Sequence, residues 1–335
     1  MSLEERSSQQ SKPLSPPRKN SEDILGELRE LNPEFFERYE IIDNSKEFLE
    51  YLLKPLRKSI VINTLKVSFE DVAENLSKDF NLEPVPWCGD GFFVYSKEAD
   101  AETRIGNMME YQLGLIFSQE AASMIPPVVL DVKPGHCVLD MAAAPGSKTV
   151  HIGMYMKNEG CLIADDIKGK RLNILIQKIQ RCGILNAWVT MKDGRYFNRF
   201  ENKFDRVLLD VPCSNAGMIR KNFKYLRLWN MSRVENLPPL QKEMLLVGYK
   251  ALKPGGIMVY STCTLDPTEN EEVVDYLISK TNARVDEINL PIRRTKPFTE
   301  FEEKKFDNQV KKCLRLHPQD NDTEGFFVAK IVKED

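Results

Sequence analysis

The stretch that decides the fold is "VLDMAAAPGSKT", residues 138–149. An apolar run ends on an acid, small residues follow, and a lysine and a threonine open a helix: strand, tight turn, helix. From about Val128 onward that unit repeats. Strand candidates are "CVLDM", "CLIADD", "AWVTMK", "FDRVLLDV", "GIMVYST", "ARVDEI" and "GFFVAKIV". Helical patterns such as "KGKRLNILIQKIQRC" and "LQKEMLLVGYKAL" lie between most of them. Strands alternating with helices predict an α/β fold with a Rossmann-like, doubly wound, mostly parallel sheet of seven strands over residues 128–335. Thr268 and Glu271 have the spacing of a capping box that opens a further helix.

Working back toward the N-terminus, "SIVIN" and "GFFVY" read as strands flanking the helix "SFEDVAENLSKDF". Residues 58–127 are expected to form a small α/β unit with a connecting helix. Residues 22–57 carry helical spacing in Ile24, Leu25, Leu28 and Leu31 and again in Phe48, Leu49, Leu52 and Leu53. Residues 1–21 are polar and proline-bearing and are expected to be disordered.

In open α/β sheets a ligand sits beyond the carboxyl ends of the strands. The loop Ala142, Ala143, Ala144, Pro145, Gly146, Ser147, Lys148 lets a ligand approach the backbone closely. It is not G-x-G-x-x-G, and Pro145 has no N–H to offer a pyrophosphate. NAD and FAD therefore fit poorly, and a phosphate-free adenosyl ligand, S-adenosyl-L-methionine, fits better. Asp166, about twenty residues on, can accept from a ribose hydroxyl, and Asp193 from the adenine amino group. Lys148 is a cation at a helix start, where cations are disfavoured, which suggests a task in the site.

Two cysteines, Cys213 in "VLLDVPCS" and Cys263 in "YSTCTLDPTENE", stand at the ends of successive strands. A lone strand-end cysteine is usually a small buried hydrophobe, and Cys88, Cys137, Cys161, Cys182 and Cys313 are read that way. Two beside a methyl donor suggest otherwise. Carbon-5 of a pyrimidine cannot take a methyl group unaided; a thiolate that adds to carbon-6 makes the ring an enamine-like nucleophile. Asp210 can hold the ring nitrogen and exocyclic amine of cytosine, and the second thiol can assist breakdown of the adduct.

Composition limits the rest. A net charge of −3 excludes a bulk basic coat for nucleic acid, so any contact must be local. Between Asp210 and Glu235 the chain has no acid but carries Arg220, Lys221, Lys224, Arg227 and Arg233, interleaved with Phe223, Tyr225 and Trp229. Cations for phosphates and aromatics for unstacked bases predict an RNA-contacting segment. Seven scattered cysteines without C-x-x-C argue against a disulfide framework and for a reducing compartment, and three histidines against a metal centre. No apolar run approaches the roughly 18–20 residues of a membrane span, and no secretory signal is visible. The expectation is a monomer in the cytoplasm, with a nuclear or nucleolar site compatible in a eukaryote.

The motifs "DMAAAPGSKT", "DGR" at 193–195, "LLDVPCS", "YSTCTLDPTENE" and "RLHPQDNDTEGFFVAKI" together resemble the Nop/Sun (NSUN) family of RNA 5-methylcytosine methyltransferases over residues 55–333. "IGNMMEYQLGLIFSQEAASMIPPVVLDVKPG" is most similar to its archaeal-type tRNA enzymes. The resemblance implies that Cys263 is the nucleophile and that Cys213 aids product release, whereas the pattern of DNA cytosine methyltransferases would nominate Cys213. It implies a donor loop at Ala142 through Lys148, ribose held by Asp166, adenine by Asp193, Asp210 between the donor and the target base and so in contact with the cofactor as well, and Lys148 also at the base. It implies tRNA as substrate; the same chemistry on rRNA and a catalytically idle RNA-binding assembly protein are the alternatives. Val61 stands where the family often has arginine, so one expected anchor is missing.

Overall fold

The computed structural model describes residues 21–98 and 103–334; the expected disordered tail lies almost entirely outside the described residues. Three helices come first: α1 (Ser21–Leu31), α2 (Pro33–Ile42) and α3 (Lys46–Leu53). Asn32 and Ser45 cap α2 and α3 by accepting from the backbone N–H of Phe35 and Phe48. Their apolar face joins the main core: Phe35, Tyr39 and Phe48 stack in series, and Phe35 meets Trp229 edge to face at 5.3 Å.

The small unit runs β1 (Ser59–Ile62), α4 (Phe69–Leu76), β2 (Phe80–Pro84), β3 (Gly91–Ser96), α5 (Met109–Gln112) and β4 (Ile116–Ser118). Its sheet is antiparallel in the order β2-β3-β1-β4. Strands β2 and β4 were not expected: "FNLEP" is mostly exposed and lacks a buried alternation, and β4 is only three residues long. Val61 is fully buried in β1, and Asn63 supplies an anchor two residues on, its Nδ2 donating to the carbonyls of Gly114 and Cys182 at 2.8 Å each.

After α6 (Ile125–Leu130) the chain enters the large sheet with β5 (Cys137–Asp140), α7 (Ser147–Tyr155), β6 (Cys161–Asp165), α8 (Gly169–Cys182), β7 (Ala187–Thr190) and β8 (Phe204–Asp210). Then come α9 (Lys224–Leu228), α10 (Met231–Ala251), β9 (Leu252–Thr262), α11 (Glu271–Lys280) and β10 (Ala283–Asp286). A short hairpin, β11 (Glu300–Phe301) and β12 (Lys304–Lys305), precedes β13 (Leu314–Leu316), α12 (Pro318–Asn321) and β14 (Phe326–Lys333). The order is β10-β14-β9-β8-β5-β6-β7, with β13 added beside β14. Strands β5 through β9 pair in parallel; β14 runs antiparallel to both neighbours. The expected mostly parallel doubly wound sheet is thus observed. From β5 the chain winds outward through β6 and β7, then returns to β8 on the other side. The reversal between β5 and β8 opens a crevice at their carboxyl ends.

The capping box does not form. Asn270 precedes α11 without a side-chain cap, and Thr268 Oγ1 donates to Asp266 Oδ1 at 2.7 Å. Glu271 is drawn away by Arg315, whose Nε and Nη2 reach its two oxygens at 2.9 and 2.6 Å while Nη1 donates to the Leu265 carbonyl. Both side chains are fully buried, and a buried cation needs that carboxylate more than a helix end does.

Candidate active site

Residues 142–146 turn between β5 and α7 at the crevice. The Ala143 N–H donates to the Asp165 carbonyl at 2.7 Å, tying the turn to β6. Gly146 has φ +100°, and a Cβ there would stand 2.7 Å from Leu175 Cδ1, so both conformation and space require glycine. Asp140, buried beneath, accepts from Thr149 Oγ1 at 2.7 Å, and burial pushes its carboxyl up to about 7. Lys148, in the first turn of α7, reaches across the crevice to Asp210 Oδ2 at 2.8 Å. That partner explains a cation at a helix start. Burial works against the Lys148 ammonium, but Asp210 more than offsets it and the pKa is raised. The other Asp210 oxygen accepts from Ser261 Oγ at 2.8 Å, so the carboxylate is held at both ends.

Asp210 and Ser261 are register partners on adjacent parallel strands. The chains leaving those strands therefore stay side by side, and Cys213 Sγ and Cys263 Sγ lie 3.2 Å apart. Cys213 is buried and Cys263 half-buried. Cys263 Sγ donates to Asn215 Oδ1 at 3.2 Å, and Asn215 holds a left-handed φ of +63°. The neighbouring Cys213 thiol, then burial, then the charges of Asp210 and Glu324 push the Cys263 thiol well above its ordinary range.

A polar lattice fixes the two thiol loops to each other. Ser214 donates its N–H to Glu269 Oε2 at 2.9 Å and pairs with Thr264 through hydroxyls 2.9 Å apart. Gln241 from α10 bridges Glu269 and the Pro212 carbonyl. Gly217 donates to the Cys263 carbonyl at 2.9 Å; a Cβ on it would lie 2.1 Å from the Gly325 oxygen. The N-terminal helices join in: Arg38 Nε and Nη2 grip Asp266, three residues past Cys263, at 2.7 and 2.9 Å.

The strand-end acids stand on the β5–β7 side. Asp166 is buried after β6, accepts from the Lys168 N–H at 2.9 Å and pairs with Arg171 at 3.3 Å. Asp193 is partly exposed after β7, and Arg195 bonds both of its oxygens, which lowers its pKa. Asp166 and Asp193 follow β6 and β7 on one side of the crevice, and Asp210 ends β8 on the other. That acidic rim would repel a pyrophosphate and suits a cationic ligand rich in hydroxyl and amino donors.

The basic segment departs from expectation. Arg220 does not offer its guanidinium outward: it is buried, donates to the carbonyls of Lys54, Pro55 and Thr323, and pairs with Asp322. It is a strut that ties the end of α3 to the turn before β14. Trp229 is buried in the aromatic core. Lys221 is half exposed, 3.5 Å from Glu324, and Lys224 is exposed. Four residues near the site were missed: Asn215, Lys178, the partly buried Glu120 and the buried Glu324. Only the position of Asn215, just after "PCS", gave any signal.

A switch-point crevice in this sheet, with paired thiols and an oriented aspartate at its rim, is the frame of a methyltransferase. The family model for the 16S rRNA methyltransferases RsmB/F matches residues 127–332, and that for the N-terminal domain of RsmF matches residues 31–121. The chain belongs to this RsmB/F family, the Nop/Sun enzymes its motifs resemble. It is 54% identical to the tRNA (cytosine(49)-C(5))-methyltransferase of Pyrococcus abyssi, over 93% of this chain and 99% of that one. It is 39% identical to ribosomal RNA small subunit methyltransferase F of Photobacterium profundum, over 91% of this chain but only 62% of that one. A methyltransferase homologue from Pyrococcus horikoshii superimposes with a TM-score of 0.81 over 96% of this chain and 100% of that one, at 34% identity. Among the described residues no helix is long and apolar enough to cross a membrane.

Proposed function

We propose that the protein methylates carbon-5 of a cytosine in RNA, with S-adenosyl-L-methionine as donor and tRNA as substrate. The observation that carries this is the thiol pair, 3.2 Å apart beside an aspartate pinned by Lys148 and Ser261. Ala142 through Ser147, Asp166 and Asp193 would hold the donor, which supplies an electrophilic methyl group when bound.

Asp210 accepts a hydrogen bond from the amino group of a cytosine extruded from its stack, and Lys148 donates to the ring nitrogen, where the electron pair of the addition collects. Cys263, once deprotonated, adds to carbon-6, and the pair of electrons released into the ring makes carbon-5 nucleophilic. After methylation Cys213, as a thiolate beside the nucleophile, takes the carbon-5 proton; that electron pair re-forms the 5,6 double bond, and the carbon–sulfur bond breaks to return Cys263 as its thiolate. Extrusion costs a few kcal/mol, less for loosely paired cytosines.

tRNA is favoured because the tRNA-named relative is 54% identical and matches over 99% of its length, while the rRNA-named one is 39% identical and matches over 62% of its length. An idle RNA-binding protein would have no use for the full set of Cys213, Cys263, Asp210 and Lys148. The test is trapping with RNA carrying 5-fluorocytosine: a covalent complex with the wild type, lost in Cys263→Ser, is expected. A complex that survives Cys263→Ser but not Cys213→Ser would reverse the two roles, and methyl label on no cytosine would end the reading.

A further inference from the structure

Helix α8 presents Lys178 to the first turn of α7, where its Nζ donates to Ser147 Oγ at 2.7 Å. The groups that bear on it electrostatically are cations: Arg181 one turn along α8, Lys221 from the turn after the Cys213 loop, and Lys148 from α7, with the Cys182 thiol beside them. Among the described residues no carboxylate pairs with Lys178 or Arg181. Arg181 leaves Nε and Nη2 without a hydrogen-bond partner, its guanidinium resting 3.9 Å from the Tyr111 ring. Burial and these like charges hold the Lys178 ammonium down at about 8.

The acids nearby do not cancel this charge. Asp210 is committed to Lys148 and Glu324 to Lys221, while burial pushes Glu120 up to about 7, so it keeps much of its proton near neutrality. Four cations thus face two committed carboxylates in a chain whose net charge is −3. A half-buried ammonium with only a hydroxyl for a partner is costly, and an anion seated there removes the cost. Ser147 directly precedes Lys148, so the anion would lie next to the cleft where the base reacts.

We infer that Lys178 and Lys221, with the Ser147 hydroxyl, form a seat for one backbone phosphate of the RNA beside the target nucleotide. The inference rests on the RNA reading given above. The carboxylate of the methyl donor is the other available anion, and the measurements must separate the two. A phosphate here fixes the register of the strand and carries no sequence preference.

The test is equilibrium binding of a tRNA transcript to the full chain, without donor, from roughly 50 to 200 mM salt. Lys178→Ala and Lys221→Ala are each expected to weaken RNA binding roughly three- to tenfold and to shrink the salt slope by about 1. Donor affinity, measured calorimetrically without RNA, should stay at the wild-type value. Lys178→Arg should keep RNA affinity. In the wild type, affinity should fall as pH rises through about 8, where Lys178 loses its proton; in Lys178→Arg that fall should vanish, since arginine does not titrate there.

Unchanged RNA affinity and salt slope in Lys178→Ala would overturn the seat, and loss of donor binding instead would assign it to the donor's carboxylate. Wild-type methylation of the transcript is assayed in parallel. If it proceeds while the lysine variants bind normally, only the phosphate seat fails; if the wild type methylates no RNA, the proposed function falls and the seat with it.

Discussion

Two ion pairs close to the thiols are built for opposite ends. Arg315 and Glu271 are fully buried and meet fork to fork through two contacts, with a third donor on the Leu265 carbonyl. Lys148 and Asp210 meet through one contact of 2.8 Å, and their side chains keep 13% and 31% of their exposure. A planar guanidinium with a partner on each of its three nitrogens locks a loop in place. An ammonium on a flexible stem, facing a cleft, can turn its remaining donors to an incoming base without leaving its carboxylate. The first pair holds the Cys263 loop still; the second is left free to act.

The comparison can be broken from its sealed side first. Arg315→Leu leaves Glu271 charged in the core without its cation and with the Phe298 N–H as its remaining donor, so we expect a loss of about 3–5 kcal/mol in urea denaturation. Replacing both by leucine should recover most of it. If the single variant unfolds at the wild-type midpoint, the pair does not lock the loop.

The cleft side should respond in rate. Lys148→Met is expected to slow single-turnover methylation on the order of 10²–10³-fold, as for removal of one preorganised electrostatic group, and to shift stability by less than about 1 kcal/mol. A stability loss matching that of Arg315→Leu, with the rate intact, would erase the distinction between the pairs.

Titration sharpens the comparison further. The Cys263 thiol is pushed up, so its reactive thiolate is scarce at neutral pH and grows as protons are withdrawn. Single-turnover rates should rise toward tenfold per pH unit between about 6 and 8. A flat profile would mean that another group, or a step before attack, limits the rate. Asn215→Gly, which tolerates the left-handed backbone and removes the acceptor of the Cys263 thiol together with the bond to the Cys213 carbonyl, should change the rate by less than roughly tenfold, the range of modest hydrogen bonds. A larger loss would make Asn215 part of the chemistry.

The sheet was legible because each strand and helix states its own period, and the thiols because two of them end adjacent strands. The charged residues were not. Arg220 lies in a run that reads as an RNA contact, yet it is spent on three carbonyls and Asp322. Lys178 sits within an ordinary amphipathic helix and has no carboxylate partner among the described residues. Sequence reveals where a cation is, but its partner comes from another part of the chain: Lys54 and Thr323 for Arg220, Ser147 for Lys178. The capping box failed for the same reason, since Arg315, forty-four residues away, outbids a local helix end for Glu271.

The reach of the N-terminal helices sets a timetable for making the protein. Asn32 bonds the carbonyls of Leu226 and Trp229, Arg38 bonds Asp266, and Asp43 bonds His317, with separations of 194 to 274 residues. A ribosome adding about 5–20 residues per second therefore emits these helices tens of seconds before their partners exist. Their apolar faces must wait uncovered through most of synthesis, which makes the nascent amino end, rather than the catalytic half, the place where a chaperone would be needed.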